Sequence, residues 1–207
     1  AWWRRMAARA RPVTQVSRYV TQAALAAASA WPEPLRLSLN VSAAELAAPD
    51  FAAVMGGALD DAGFPAARLT LETTEQSLVA ELDRSGEQLR QLAARGIRIA
   101  LDDFGAGFCN FGYLKRLPLH ALKLDRSMVE GIVEDPRDLA VLRGILAMAQ
   151  ALDLDVTAEG VEHEGQRAAI AREGCSAWQG FPGAEAMSAA DFARLVTPLP
   201  SPAARTS

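Results

Sequence analysis

Eight polar side chains in this 207-residue chain fall in a pattern that can do chemistry: Asn40, Glu72, Asp102, Asp103, Lys123, Asp125, Glu159 and Gln179. Each stands at or just past the C-terminal end of a short run that reads as a β-strand. Five of them are carboxylates, and packed together without compensation they would repel, several holding protons at neutral pH. Hard divalent cations resolve that repulsion. Oxygen donors without histidine or thiolate suit Mg²⁺, Mn²⁺ or Ca²⁺ rather than zinc. The adjacent pair Asp102-Asp103 lets one carboxylate bridge two ions, and two metals about 4 Å apart activate water and stabilise the leaving oxygen in phosphodiester hydrolysis. Lys123, one of only two lysines, would hold the nucleophile or neutralise phosphate charge. Singly, each residue has a plainer reading. Asn40 and Glu72 can cap helices, Asp102-Asp103 can open a turn, and Lys123 can pair with Asp125. Repetition at six strand ends favours the chemical reading.

The elements that must position these residues follow from periodicity. Strands are expected at Leu35 to Val41, Arg68 to Glu72, Ile97 to Asp102, Leu119 to Asp125, Asp155 to Glu159 and Ser176 to Gln179. Helices are expected from Val13 to Ala30, ended by Trp31-Pro32-Glu33-Pro34, and from Phe51 to Ala62 with Asp50 as N-cap. Others run from Leu78 to Arg95 closed by Gly96, Arg137 to Leu152, His163 to Glu173 closed by Gly174, and Ala189 to Val196. Alternating strands and helices indicate an α/β fold with a parallel sheet. A βα-barrel gathers the C-terminal ends of all its strands at one mouth, whereas a doubly wound sheet uses only a few. Contributions from six strands favour a barrel, two strands short of the usual eight.

Composition bounds the function. The net charge is −4 and half the residues are apolar, so a long nucleic acid is not the expected partner. Forty-two alanines, and 19 arginines among 21 basic residues, point to a GC-rich, bacterial coding sequence. Two cysteines, Cys109 and Cys175, argue for a reducing compartment and free thiols rather than disulfides. With no stretch long enough to span a membrane and no signal-peptide pattern behind the Arg-rich start, a cytoplasmic location is expected. Residues 1–12 read as an N-terminal remnant, 13–196 as the barrel domain and 197–207 as a disordered tail. His163-Glu164 lacks the second histidine of a zinc-protease helix, His120 reads as structural, and Gly105-Ala106-Gly107 lacks the lysine of a Walker loop. Trp2, Trp3, Trp31 and Trp178 read as packing residues.

At these residues the sequence resembles the EAL-domain phosphodiesterases that act on bacterial cyclic di-GMP. The match spans about Arg11 to Val196. It is carried in order by Leu39-Asn40-Val41-Ser42, Leu71-Glu72-Thr73-Thr74-Glu75, Ala100-Leu101-Asp102-Asp103-Phe104-Gly105-Ala106-Gly107, Leu122-Lys123-Leu124-Asp125-Arg126-Ser127, Ala158-Glu159-Gly160-Val161-Glu162, and Gly174-Cys175 with Gln179-Gly180-Phe181. The resemblance implies an eight-stranded barrel with one antiparallel strand and a two-metal site for Mg²⁺ or Mn²⁺. Asn40, Glu72, Asp102 and Asp103 correspond to metal ligands. Glu159 corresponds to the carboxylate near the second metal and the attacking water, and Lys123 to the lysine that positions that water. Glu75 matches a glutamate that steadies the loop after Asp103, which the family also uses around its dimer interface. Asp125, Glu162 and Gln179 resemble residues lining the guanine-nucleotide pocket.

The departures shape the expected function. The Glu-Ala-Leu motif, whose glutamate is a metal ligand, and the strand before it have no counterpart in these 207 residues; Glu185-Ala186-Met187 is a superficial echo. Where the family usually has a basic residue and proline, this chain has Glu185-Ala186. Ala106 replaces a usual threonine and Cys109-Asn110 a usual serine pair. The expected activity is hydrolysis of cyclic di-GMP to pGpG, impaired or absent in this chain. The alternatives are a non-catalytic domain that binds the dinucleotide and one that serves protein interaction. A homodimer is expected through the loop after Asp103 or through open sheet edges, unless residues 1–12 cover one edge.

Overall fold

The computed structural model describes residues 10–79, 82–107, 111–183 and 185–196. The expected remnant (in part), the tail, Trp2, Trp3 and Cys109-Asn110 lie outside them. Among the described residues, fifteen helices and strands alternate in a nearly regular series. Helix α1 (Ala10–Ala28) leads into β1 (Leu37–Asn40), α2 (Ala43–Leu46), α3 (Phe51–Ala62), β2 (Leu69–Thr74), α4 (Glu75–Val79), α5 (Leu82–Ala94) and β3 (Arg98–Phe104). Then follow α6 (Phe111–Arg116), β4 (Ala121–Leu124), α7 (Pro136–Ala151), β5 (Asp155–Val161), α8 (Glu164–Glu173), β6 (Ala177–Gly180) and α9 (Ala189–Val196). The six strands form one parallel sheet in the order β1-β2-β3-β4-β5-β6. Among the described residues β1 and β6 each pair on one side only.

Alternation along the strands divides the sheet into two faces. Leu37, Leu69, Leu71, Ile97, Ile99, Leu101, Leu122, Leu124, Val156 and Ala158 are buried on the helix-covered face. They meet Leu25, Met55, Leu59, Leu89, Leu92, Leu142 and Ile170 from the helices in one core. The opposite face carries Glu72, Asp102, Lys123 and Glu159. In a βα-barrel sheet the helices cover the outer face, and the residues that make a site sit at the strand ends.

Local chemistry sets the ends. Gly96 and Gly174 close their helices at φ +92° and +94°, as the sequence predicts. Helix α2, absent from the sequence-based expectation, is one turn with a capping box in which Ser42 accepts from Glu45 N–H and Glu45 returns the bond. Ser42, not Asn40, is therefore the cap after β1. Asp50 makes no side-chain cap to α3. The buried Gln88 of α5 does that work, accepting from Ala52 N–H at 2.8 Å and donating to Pro49 O at 3.2 Å. The expected strand from Leu35 is shorter because the Leu35 carbonyl is taken by Arg68 Nε at 2.7 Å instead of by a ladder partner. The helix expected from Leu78 to Arg95 is seen in α4 up to Val79 and in α5 from Leu82, with residues 80 and 81 outside the described set.

Other sequence expectations find plain roles. His120 Nδ1 accepts from Ile99 N–H, and His163 caps α8. Trp31 packs edge-on against Phe192 with ring centroids 4.7 Å apart. Cys175 is a free thiol pushed up to about 11, first by burial and then by Glu173. No described helix is long and apolar enough to cross a membrane.

Gln88 bonds two separate backbone groups from a buried position, so Gln88→Leu leaves an unsatisfied donor at the start of α3. The expected cost is about 1–3 kcal/mol, read as a lower urea midpoint with an unchanged slope. A change below about 0.5 kcal/mol would show that the cap is dispensable.

Candidate active site

The site is organised by Lys123. Its Nζ lies 2.5 Å from Glu72 Oε2, 2.5 Å from Glu159 Oε1 and 3.2 Å from Asp102 Oδ1. These carboxylates come from β2, β5 and β3, and Lys123 comes from β4 between the last two, so one ammonium ties four strands. Glu72, Asp102 and Lys123 are buried and Glu159 is half-buried. Burial alone would lower the Lys123 pKa, but the hydrogen bonds and charges of Glu159 and Glu72 outweigh it and hold the ammonium well above its ordinary value. Burial lifts the Glu159 carboxyl above the usual range. Lys123 opposes that rise, and Asp102 and Glu72 add to it.

Two bulges aim the acids. Between β3 and β4 the register passes from Leu101↔Leu122 to Phe104↔Leu124, which inserts one extra residue on β3. Asp103, at φ +55°, occupies the kink. Asp102 can then face Lys123 while Phe104 returns to the core, and Asp103 is exposed beside the mouth. Burial, then Asp102 and Asp125, raise the Asp103 pKa against the pull of Lys123. A second bulge lies between Ala158↔Trp178 and Val161↔Gly180, at Glu159-Gly160. Bulges of this kind re-aim side chains at functional sites. A glycine inside a strand pattern was the available sequence signal for the second one.

The other expected site residues are placed as follows. Asn40 stands beside Glu72 in the β1–β2 register and is exposed. Glu75 opens α4, and the loop it was expected to steady runs into residues 108–110, outside the described set. Asp125 does not pair with Lys123. Its carboxylate accepts from Ser127 N–H at 3.0 Å, and the Ser127 bonds hold its pKa below the ordinary range. Glu162 and Gln179 join Glu159 in an open cleft of about 520 Å³. Its lining also includes Arg126, Phe181 and Glu185, of which the sequence reading assigned no ligand role to the first two. Arg126 Nη1 bonds Glu162 Oε1 at 2.7 Å.

The chemistry of the donor set fits hard cations. Glu72, Asp102, Asp103 and Asn40 offer oxygen alone. Asp102 Oδ1 is buried without a hydrogen-bond donor, held near Lys123 by charge. Three carboxylates against one ammonium leave two negative charges, the complement of one divalent ion. Among the described residues no three acidic, histidine or cysteine groups form a ready-made metal cluster.

Comparison with known proteins gives this geometry a lineage. The EAL-domain family model matches residues 4–186, nearly the whole chain. The chain belongs to the EAL-domain family. The cyclic di-GMP phosphodiesterase NbdA of Pseudomonas aeruginosa is 40% identical over 149 residues, which cover 72% of this chain and 19% of NbdA. The chain spans about a fifth of the length of the curated relatives it matches. Among solved structures, the PaMucR phosphodiesterase in complex with c-di-GMP superposes with a TM-score of 0.83 at 32% identity, covering 90% of this chain and 77% of that one. A manganese and cy-diGMP complex of Klebsiella pneumoniae BlrP1 superposes at 0.75 with 26% identity, covering 81% and 43%. The six-stranded sheet of this EAL-domain chain therefore corresponds to most of a barrel of that type.

Removing the ammonium exposes the carboxylates to one another. Lys123→Met should cost about 3 kcal/mol or more at neutral pH. Without Lys123 the Glu159 carboxyl loses the group that opposes its rise, so its folded-state pKa goes further above the unfolded value. The fold is then favoured below the ordinary carboxylate range and loses stability as pH rises through the raised value. The deficit against the unmodified chain should shrink on acidification from neutral pH toward 4, as followed by thermal melts. A deficit independent of pH would mean that packing, not charge, is what Lys123 supplies.

Proposed function

We propose that the strand-end mouth is a cyclic di-GMP phosphodiesterase-type site, impaired in this chain. The observation that carries the reading is the meeting of Glu72, Asp102 and Glu159 on Lys123, beside a cleft lined by Glu162 and Gln179. Asn40, Glu72, Asp102 and Asp103 would hold Mg²⁺ or Mn²⁺, which when bound supplies an activated water and charge for the leaving oxygen. Glu159, whose pKa burial has raised, is poised to hold or accept the proton of the attacking water. Lys123 orients that water and offsets phosphate charge. Asp125, Glu162 and Gln179 face the guanine nucleotide, and Glu75 anchors the loop after Asp103. Residues 13–196 make up the folding unit, with a cytoplasmic location and self-association through the open edges of β1 or β6 or through the loop after Asp103.

Impairment is read from the residues present: Glu185, which lines the cleft, sets a negative charge where the family usually has a basic residue, and this weakens attraction to a diphosphate. Asn40 and Gln179 are exposed on β1 and β6, each of which pairs on one side only among the described residues. A second reading, binding without hydrolysis, is favoured by the carboxylates being drawn onto Lys123.

Mn²⁺ at a hundred times its Kd should stabilise the chain by about 2.7 kcal/mol, a rise in Tm of about 5–10 °C. Asp102→Ala should abolish that rise, and the unmodified chain should release pGpG slowly in the same buffer. An undiminished Tm shift in Asp102→Ala would place the metal elsewhere and sink the ligand assignment. Binding of cyclic di-GMP with no pGpG at any time would select the non-catalytic reading.

A further inference from the structure

Among the described residues, Arg126 is the only cationic one lining the cleft that also contains Glu159, Glu162 and Glu185. Three carboxylates around one guanidinium make a poor receptor for a dianionic ligand unless the guanidinium has a specific task. Its placement is well determined. Asp125 caps the short 3₁₀ turn Arg126–Met128 through Ser127 N–H, which sets Arg126 at the end of β4. Gly160, at φ +65° in the β5 bulge, leaves the space that Arg126 crosses, since a Cβ there would lie 2.6 Å from Arg126 Cβ. The side chain reaches Glu162 at 2.7 Å, with Glu130 more distant at 3.8 Å. Arg126 is 53% exposed and Glu162 38%. A pair so exposed contributes little to stability, so the fold alone gives small reason for it.

We propose that the Arg126–Glu162 pair is the base-reading element of the cleft and that Arg126 determines its preference for guanine. The proposal rests on the reading of this cleft as a cyclic di-GMP site. Side by side, the pair presents a donor and an acceptor. Guanine shows the complementary edge, with O6 accepting and N1–H donating, and its C2 amino group gives the carboxylate a second bond. Adenine has the order reversed along that edge, with an amino group at position 6 and a bare N1. It can meet the pair only turned end for end, without the C2 amino group. Phe181, 72% exposed at the same cleft, offers an apolar face on which the base can stack. Arginine is suited to this role because its planar fork donates two parallel bonds, which a lysine of equal charge does not.

The test is isothermal titration of the full 207-residue chain with cyclic di-GMP and with cyclic di-AMP, in Ca²⁺ and again in EDTA. The unmodified chain should favour cyclic di-GMP. Arg126→Met and Arg126→Lys should each weaken cyclic di-GMP binding by about 10-fold or more and leave cyclic di-AMP nearly unchanged, with Tm preserved. Glu162→Gln should erode the same preference. Equal losses for both dinucleotides would assign Arg126 to a phosphate, and unaltered binding would assign it no ligand role; either result overturns the proposal alone. Failure of the unmodified chain to bind cyclic di-GMP in either buffer would overturn the functional reading and this proposal together.

Discussion

One buried ammonium holds the working face of this protein together. Lys123 lies within 3.2 Å of carboxylates from β2, β3 and β5. Three acids gathered on a sheet face would otherwise force one another to protonate or move apart. The compensation is incomplete, since Glu159 retains a raised pKa and Asp102 Oδ1 lacks a hydrogen-bond donor. That residual negative charge suits a site that takes up a divalent cation. A fully neutralised cluster would be a structural ion pair and little more. Here stability and chemistry draw on the same groups, and the lysine sets the balance between them.

Positioning comes from departures from regular strand geometry. The bulge at Asp103 separates two adjacent acids, turning one toward Lys123 and leaving the other exposed at the mouth. The bulge at Glu159-Gly160 aims Glu159 inward and clears the path of Arg126. Gly180 is needed for a related reason, since any side chain there would run into the Val161 carbonyl. The helix-covered face is regular by comparison, with leucine, isoleucine and valine at alternate positions of consecutive strands. Rigidity on that face is what lets the other carry kinks without losing register.

Much of this was legible from residue types and spacing. Strand and helix periodicity, the glycines at 96 and 174, and the recurrence of polar residues at six strand ends followed from local rules, and they sufficed for a parallel α/β sheet with an acidic mouth. Some local features were misplaced. Asp50 follows the pattern of a cap, yet Gln88, 36 residues beyond the Ala52 N–H that it accepts from, performs it. Helix α2 was missed because a four-residue turn has too little periodicity to register.

What the sequence by itself determined is the inventory: which groups can ionise, which runs must be buried, and which strand each functional residue terminates. Those depend on neighbours a few residues away. The tertiary structure alone decided which charges meet. Lys123 and Asp125 are two apart in sequence, but Asp125 lies past the end of β4 and its carboxylate caps the turn that follows, accepting from Ser127 N–H. Lys123 instead joins Glu72, 51 residues earlier in the chain. The partnership of Arg126 with Glu162 is equally invisible to local patterning. Ion pairing is a matter of a few ångströms in space, and in a parallel sheet every such contact crosses a helix-length of chain.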